Sequence, residues 1–286
     1  MIEEKAPVRI SFCSAGDQEW YFEKTGWGNA LSATINLYSW CRISGNAVEM
    51  EEDFPRESGL GGSSSSLVAL LKAFDRKGGI CRPRDDLALL THAIERKWLG
   101  VPGGYQDQFA SAFRGFNYYE FRPGPSVKVE PLDISRETIR KLEKSLVMAW
   151  LPRERPGSEV HADIRDNSAK TLEIVKEKRS LCLEARKAII SGDIGTLAEI
   201  AMKDTRLKKM QSPLIFTEAV EKAAGIAMKN SCLGYRLLGA GSGGCMLFFC
   251  GDRKRLIKSL DGTVRIIPFR FEVRENAGQD RRNKKA

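Results

Sequence analysis

The stretch Gly59-Leu60-Gly61-Gly62-Ser63-Ser64-Ser65-Ser66 runs without a break into Leu67-Val68-Ala69-Leu70-Leu71-Lys72-Ala73-Phe74. Leu67, Leu70, Leu71 and Phe74 fall at i, i+3, i+4 and i+7, which predicts a helix over 63–77 with one apolar face. A left-handed turn at Gly78-Gly79 closes it. A flexible Gly/Ser linker has a similar composition but does not merge into an amphipathic helix. Glycines and small hydroxyl residues at a helix start gather unpaired backbone N–H groups and the positive end of the macrodipole, with no side chain in the way. That is a cradle for nucleotide phosphates. It is not a Walker A loop, which needs a Lys after its last glycine, and neither H-R-D nor D-F-G occurs in the chain. Charge neutralisation then has to come from backbone amides, a magnesium ion and basic groups elsewhere.

A chain of 286 residues with 42% hydrophobic and 29% charged content has room for one large domain or two ordinary ones. No apolar run reaches the ~18 residues that cross a bilayer, so no membrane role is expected. The acidic, strand-like start Met1-Ile2-Glu3-Glu4-Lys5 leads us to expect no signal peptide. The seven cysteines are odd in number and scattered without a C-x-x-C pair, and His92 and His161 stand alone. Reduced thiols in a cytoplasmic protein without a zinc site follow from that pattern. The net charge is +9, and Arg281, Arg282, Lys284 and Lys285 against Asp280 supply a third of it. Much of the rest lies along 165–190, mixed with Glu173, Glu177 and Glu184, which reads as a solvated helix face rather than a nucleic-acid stripe. A modest positive field suits anionic substrates.

Strands are expected at 7–13, 31–43, 46–51, 116–121 and 145–151, with helices at 63–77, 85–99 and 105–114. In the second helix Asp85 is the expected N-cap, and Leu87, Leu90, Ile94 and Trp98 form the apolar face. After Pro152-Arg153-Glu154-Arg155-Pro156-Gly157 the pattern changes to helical stretches at 158–191, 193–209 and 213–229. Strands 234–238, 245–250 and 263–269 follow, with a helix at 253–260 between the last two. The intermingling favours an α+β fold of two domains, 1–150 and 151–286, divided near 145–155 and ending in a basic, disordered tail at 278–286. A second cluster, Gly239-Ala240-Gly241-Ser242-Gly243-Gly244, satisfies G-x-G-x-x-G, but the apolar run Cys245–Cys250 after it has strand character, so the dinucleotide reading fails. Four glycines in six residues exceed what a tight hairpin needs, and we read the loop as packed close to a ligand.

Three segments in order, Ala6–Phe12, Ser58–Ser65 and Gly239–Gly244, resemble the GHMP small-molecule kinases. Leu31-Ser32-Ala33-Thr34-Ile35, Tyr105–Ala110 and Gly115-Phe116-Asn117 look most like the branch that phosphorylates sugars at the anomeric position, the D-glycero-D-manno-heptose 7-phosphate kinases and fucose kinases. The resemblance implies an N-terminal domain like ribosomal protein S5 domain 2, a ferredoxin-like C-terminal domain, ATP over the middle motif and the acceptor between the domains. It also leaves room for a homodimer.

Carried over from the family, Gly59, Leu60, Gly61, Gly62 and Ser63, with Ser64 and Ser65 beside them, would wrap the ATP phosphates. Ser63 (Ser64 as alternate) and Glu95 would ligate Mg²⁺. Plain alternatives are helix N-capping for Ser64 and surface charge for Glu95. Asp107 is the expected base or hydroxyl-orienting group, with a helix N-cap or first-turn Asp as its alternative. Arg9 stands where relatives carry a cation toward the transferred phosphate, and otherwise reads as an exposed edge-strand residue. Asp17 is expected to hold sugar hydroxyls, although the turn Cys13-Ser14-Ala15-Gly16-Asp17 lacks the family's glycines and Thr. Arg153 and Arg155 at the domain junction would clamp a phosphate on the acceptor or be exposed linker charge, and Gly241, Ser242 and Gly243 would line the acceptor. The expected activity is phosphorylation of a sugar or sugar phosphate; the alternatives are a kinase for a mevalonate-like alcohol and a silent ATP- and sugar-binding sensor.

Overall fold

The computed structural model describes residues 1–124 and 126–273, so the tail expected at 278–286 lies outside the described residues. The first half begins with β1 (Ile2–Ala15), α1 (Glu19–Thr25), β2 (Gly28–Ser44) and β3 (Ala47–Glu52). Three helical segments follow, α2 (Gly62–Lys77), α3 (Arg84–Ala93) and α4 (Gln106–Phe113), and then β4 (Phe116–Arg122), β5 (Ser126–Pro131) and α5 (Arg136–Ser145). These strands make a 5-stranded antiparallel sheet in the order β1-β2-β4-β5, with β3 also pairing β2.

The second half opens with β6 (Leu146–Leu151) and the helices α6 (Gly157–Asp166), α7 (Ser168–Ser191), α8 (Ile194–Gln211) and α9 (Glu218–Met228). It closes with β7 (Cys232–Leu237), β8 (Gly244–Cys250), α10 (Arg253–Leu260) and β9 (Arg265–Ile266). Its 4-stranded antiparallel sheet runs β7-β8-β6-β9. Numbered within that half the order is 2-3-1-4, and one helical crossover joins the first two strands: this is the expected ferredoxin-like arrangement. Strand β6, which the reading of the sequence put at the end of the first domain, belongs to this second sheet. The chain then returns to the first sheet, where Phe271 bridges Ile35. One apolar cluster is continuous across both halves, joining Ile10 and Leu31 to Leu181, Leu197 and Leu247. No described helix is long and apolar enough to cross a membrane.

Several expectations shift in ways that matter for the site. The buried face of α2 is made of Ser64, Ser65, Val68, Ala69 and Ala73, while Phe74 is 47% exposed. Small side chains let the start of α2 lie close on the sheet, and the larger Leu70 and Leu71 flank it, partly buried. The turn after α2 uses Gly79 (φ +66°) as its left-handed residue. The residue capping α3 is Pro83, not Asp85. At Ile94 this helix widens into a π turn, Ile94–Trp98. Trp98 in that turn is exposed, while Glu95, one turn beyond the buried Thr91 and two beyond the buried Ala88, is itself buried, so the expected apolar face through Leu90, Ile94 and Trp98 is not the inward one. The stretch 158–191 breaks at Asn167 into α6 and α7, and the last strand keeps only Arg265–Ile266. Lys178 and Arg179, expected on a solvated face, are each 7% exposed.

Candidate active site

A cavity of about 1170 Å³ opens between the halves. Its first wall is the glycine-rich loop. Gly59 (φ +74°) and Gly61 (φ +81°) both sit in the left-handed region, and a Cβ on Gly59 would stand 2.6 Å from the Leu238 carbonyl. Gly61 is the N-cap of α2, and no side chain caps the helix, so Ser64 is not a cap. The first N–H groups of α2 are left facing the loop, as an anion site requires. Leu60 is fully buried and its carbonyl accepts the Arg9 N–H at 3.0 Å, which pins the loop to β1. Ser65 turns inward, where its hydroxyl meets Ser39 Oγ at 2.6 Å. Leu60 and Ser65 thus shape the loop from behind and do not line the cavity, unlike Gly59, Gly61, Gly62, Ser63 and Ser64.

Glu95, 1% exposed, receives the Ser63 hydroxyl at 2.7 Å on Oε1 and the Ser64 hydroxyl at 2.8 Å on Oε2. Gln108 Nε2 also donates to Oε2, and Arg96 Nη2 stands 3.8 Å away. The surface-charge alternative for Glu95 is thereby removed. Arg9, 5% exposed, grips Asp107 Oδ1 through Nε at 2.9 Å and Nη2 at 2.6 Å, and its Nη1 donates to the Gly59 carbonyl at 2.8 Å. One guanidinium therefore joins the α4 carboxylate to the loop. Asp107 sits in the first turn of α4 but does not cap it, since Tyr105 is the N-cap. Gly61 lies against this carboxylate: a Cβ there would be 3.1 Å from Asp107 Cγ. Asp17 reaches the same place from the end of β1; a Cβ on Gly104 would collide with its carboxylate. Burial, and then the charge of Asp107, raise the Asp17 pKa above the ordinary carboxylate value.

The opposite wall comes from the second half. Lys178 on α7 and Arg236 on β7 both pair with Asp204 of α8, at 3.1 and 3.5 Å. Burial works against the Asp204 charge, but Lys178 and Arg236 outweigh it and hold its pKa below the ordinary value. Lys208 donates to the Leu237 and Gly239 carbonyls at 3.0 and 2.6 Å. His161 of α6 shares a 3.3 Å hydrogen bond with Gln18 Nε2, while Gln18 Oε1 accepts the Trp20 indole N–H at 3.0 Å. That orientation makes Nδ1 of His161 the acceptor, and burial lowers its pKa to about 4, so the imidazole is neutral.

Arg153 lines this wall, whereas Arg155 is exposed and does not, so the expected two-arginine clamp is not assembled. The second glycine cluster also differs from expectation. Gly239 and Ala240 reach the cavity, but Gly241, Ser242 and Gly243 do not line it. A Cβ on Gly241 would meet Ile215, one on Gly243 would meet the Pro152 carbonyl at 2.4 Å, and Ser242 is fully buried. These glycines let the loop pack against neighbouring backbone, and Gly239 packs on Gly59, so the two glycine motifs touch each other.

Family models for the GHMP kinases N-terminal domain and the GHMP kinases C-terminal region match residues 27–115 and 185–262, together more than half of the chain. The chain belongs to the GHMP kinase family. Among curated relatives of this GHMP kinase family member, a D-glycero-alpha-D-manno-heptose 7-phosphate kinase from Campylobacter jejuni is 35% identical over 212 residues. That alignment takes in 73% of this chain and 62% of the relative. A bifunctional fucokinase/GDP-fucose pyrophosphorylase from Arabidopsis thaliana is 26% identical over 220 residues, 74% of this chain and 20% of that one. The chain thus spans less than two thirds of the length of these relatives. A solved D-glycero-D-manno-heptose 1-phosphate kinase from Bacteroides thetaiotaomicron superposes with a TM-score of 0.77 at 26% identity, over 95% of this chain and 96% of that one.

Gln18, Gln108, His161, Lys178, Asp204, Lys208 and Arg236 escaped the reading of the sequence. They are scattered over several elements, with only Asp204 and Lys208 sharing one, α8, and a Lys or Gln on a helix carries no sign in the sequence that it is buried. The π turn that leaves Trp98 exposed likewise has no local marker.

Proposed function

We propose that the chain is an ATP- and Mg²⁺-dependent kinase that transfers the γ-phosphoryl group of ATP to a sugar or sugar phosphate, at the anomeric hydroxyl. The observation that carries this reading is the Arg9 fork, which touches both Asp107 and the Gly59 carbonyl of the phosphate loop. Phosphoryl transfer has a loose transition state, so positioning and charge neutralisation carry most of the rate. The α2 N–H groups hold the donor phosphates, and Arg9 neutralises charge on the group in flight. Asp107 orients the acceptor hydroxyl and takes its proton as the new O–P bond forms, while the bond to ADP breaks and ADP keeps the electron pair. Asp17 and the neutral His161 face the acceptor.

The residues also fit a magnesium ion. The Ser63 hydroxyl donates a hydrogen bond to Glu95 and keeps its oxygen lone pairs, and Glu95 adds a carboxylate, both hard oxygen donors of the kind this ion prefers. When bound, the ion supplies further shielding of the phosphate charge. Asp107 held by Arg9 argues against a silent sensor, which has no use for a poised carboxylate. The seven free cysteines, six of them buried, suit the reducing cytoplasm.

The test is ADP release across free sugars, sugar phosphates and mevalonate, with and without a chelator. Chelator-sensitive turnover of at least one sugar or sugar phosphate is expected. Turnover of mevalonate alone, or of nothing, overturns the reading.

A further inference from the structure

Three basic side chains in the second wall are buried with a single carboxylate among them. Lys178, Lys208 and Arg236 are 7%, 9% and 5% exposed, and Asp204 is 1% exposed. Asp204 pairs with Lys178 and Arg236 only; among the described residues no carboxylate lies within 4 Å of Lys208. Arg153 adds a fourth cation, and its Nε is buried with no partner. Burying cations in excess of anions is costly unless an anion completes the set. Burial, followed by Lys178 and Arg236, pushes Lys208 well below its ordinary pKa, and burial lowers Arg153 too. All four cations line the cavity that holds Asp107. The donor phosphates have their own cradle in the first half, so this second basic wall is not needed for ATP.

We propose that Lys178, Lys208, Arg236 and Arg153 form a subsite for a phosphate that the acceptor already carries, so that the substrate class is a sugar monophosphate rather than a free sugar. This rests on the kinase reading above and narrows it. The phosphate ester is held in the second half, and the hydroxyl to be phosphorylated points across the cavity to Asp107. Asp204 keeps Lys178 and Arg236 in place, and the backbone carbonyls of Leu237 and Gly239 do the same for Lys208. The proposal also revises the clamp expected from the sequence: Arg155 has no part in it. No bond is made or broken at this phosphate.

The test compares D-glycero-D-manno-heptose 7-phosphate and mannose 6-phosphate with the same sugars lacking phosphate, in the wild type and in Lys208→Met. Wild-type kcat/KM is expected to favour a phosphate ester over its free sugar by about 100-fold or more, as charge-assisted contacts provide. Lys208→Met should raise KM for the ester by roughly 10-fold or more and leave KM for ATP within about twofold. A wild type that turns over the free sugar as well as its ester overturns the proposal, whether or not the variant folds. So does a variant in which both KM values rise together. Calorimetric binding of each ester, run without ATP, separates this from the kinase reading. Ester binding that Lys208→Met abolishes supports the subsite even if no turnover is found. Turnover of free sugars alone, with no ester binding, sinks the subsite and leaves the kinase intact. Binding of inorganic phosphate but of neither ester also counts against it.

Discussion

The two walls of the cavity handle charge in opposite ways. On the first wall Arg9 meets Asp107, and Glu95 is fully engaged by Ser63, Ser64 and Gln108. On the second, Lys178, Lys208, Arg236 and Arg153 stand beside one buried carboxylate, Asp204, which pairs with Lys178 and Arg236 alone among the described residues. On the first wall each of these charges has a protein partner, and what the wall receives is the donor phosphates, on backbone N–H groups, with their cation beside Ser63 and Glu95. The second is electrostatically unfinished. A balanced wall is suited to orienting and to proton transfer, and an unbalanced one to gripping an anion.

The largest effect should come from the cradle. Gly61→Val places a β-branched residue at φ +81°, with its Cβ 3.1 Å from Asp107 Cγ. ATP binding and turnover should both be lost while circular dichroism shows a folded chain; unchanged ATP affinity would remove the loop from the donor site. Next, Asp204→Asn should unbalance the second wall completely. Leaving buried cations without their partner costs about 3–5 kcal/mol of stability. The cations hold the Asp204 pKa below its ordinary value, so its contribution is fully present at neutral pH and fades as pH falls below the carboxylate range. A variant that melts like the wild type at neutral pH would mean the second wall is not under electrostatic strain. Asp107→Ala should follow, with turnover down at least ~10²-fold and KM for ATP nearly unchanged. Equal turnover would take Asp107 out of the mechanism and leave the first wall purely structural.

The contrast also explains what could be read in advance. The first wall is written locally: the Gly59–Ser64 loop enters its helix directly, and Asp107 and Glu95 lie on the next two helical segments. Strands such as Leu146–Leu151 and Gly244–Cys250 were visible because they are apolar runs, the first ended by Pro152 and the second opened by the glycine cluster. The segments β5, α1 and α5 were not, since each is short and polar on at least one side. The second wall gathers Lys178 from α7, Asp204 and Lys208 from α8, Arg236 from β7 and Arg153 from the connector after β6. Lys178 and Lys208 were hidden among other charged residues, as the pair Lys208 and Lys209 illustrates: the first is 9% exposed, while the side chain of the second stands 38% exposed and pairs with Glu221. Charge pattern along a helix does not report which side faces a cavity. Arg155 shows the converse, because its place at the domain junction looked functional and its side chain is in solvent.

That last pair gives the smallest and most discriminating prediction. Arg153 and Arg155 are two residues apart, carry the same charge and sit in the same connector, so any long-range field treats them nearly alike. They differ in burial: Arg153 lines the cavity with its Nε shielded from water, and Arg155 is exposed. A buried charge-assisted contact is worth about 1.5–3 kcal/mol, whereas an exposed charge screened by water and salt contributes little. Arg153→Ala should therefore raise KM for a phosphorylated acceptor by roughly 10-fold or more, with KM for ATP unmoved. Arg155→Ala should shift neither value by more than about twofold. If both substitutions weaken the acceptor equally, the positive field of the connector attracts it and the second wall is not a specific grip. If neither does, Arg153 is in the cavity only to fill it, and the grip belongs to Lys178, Lys208 and Arg236 alone.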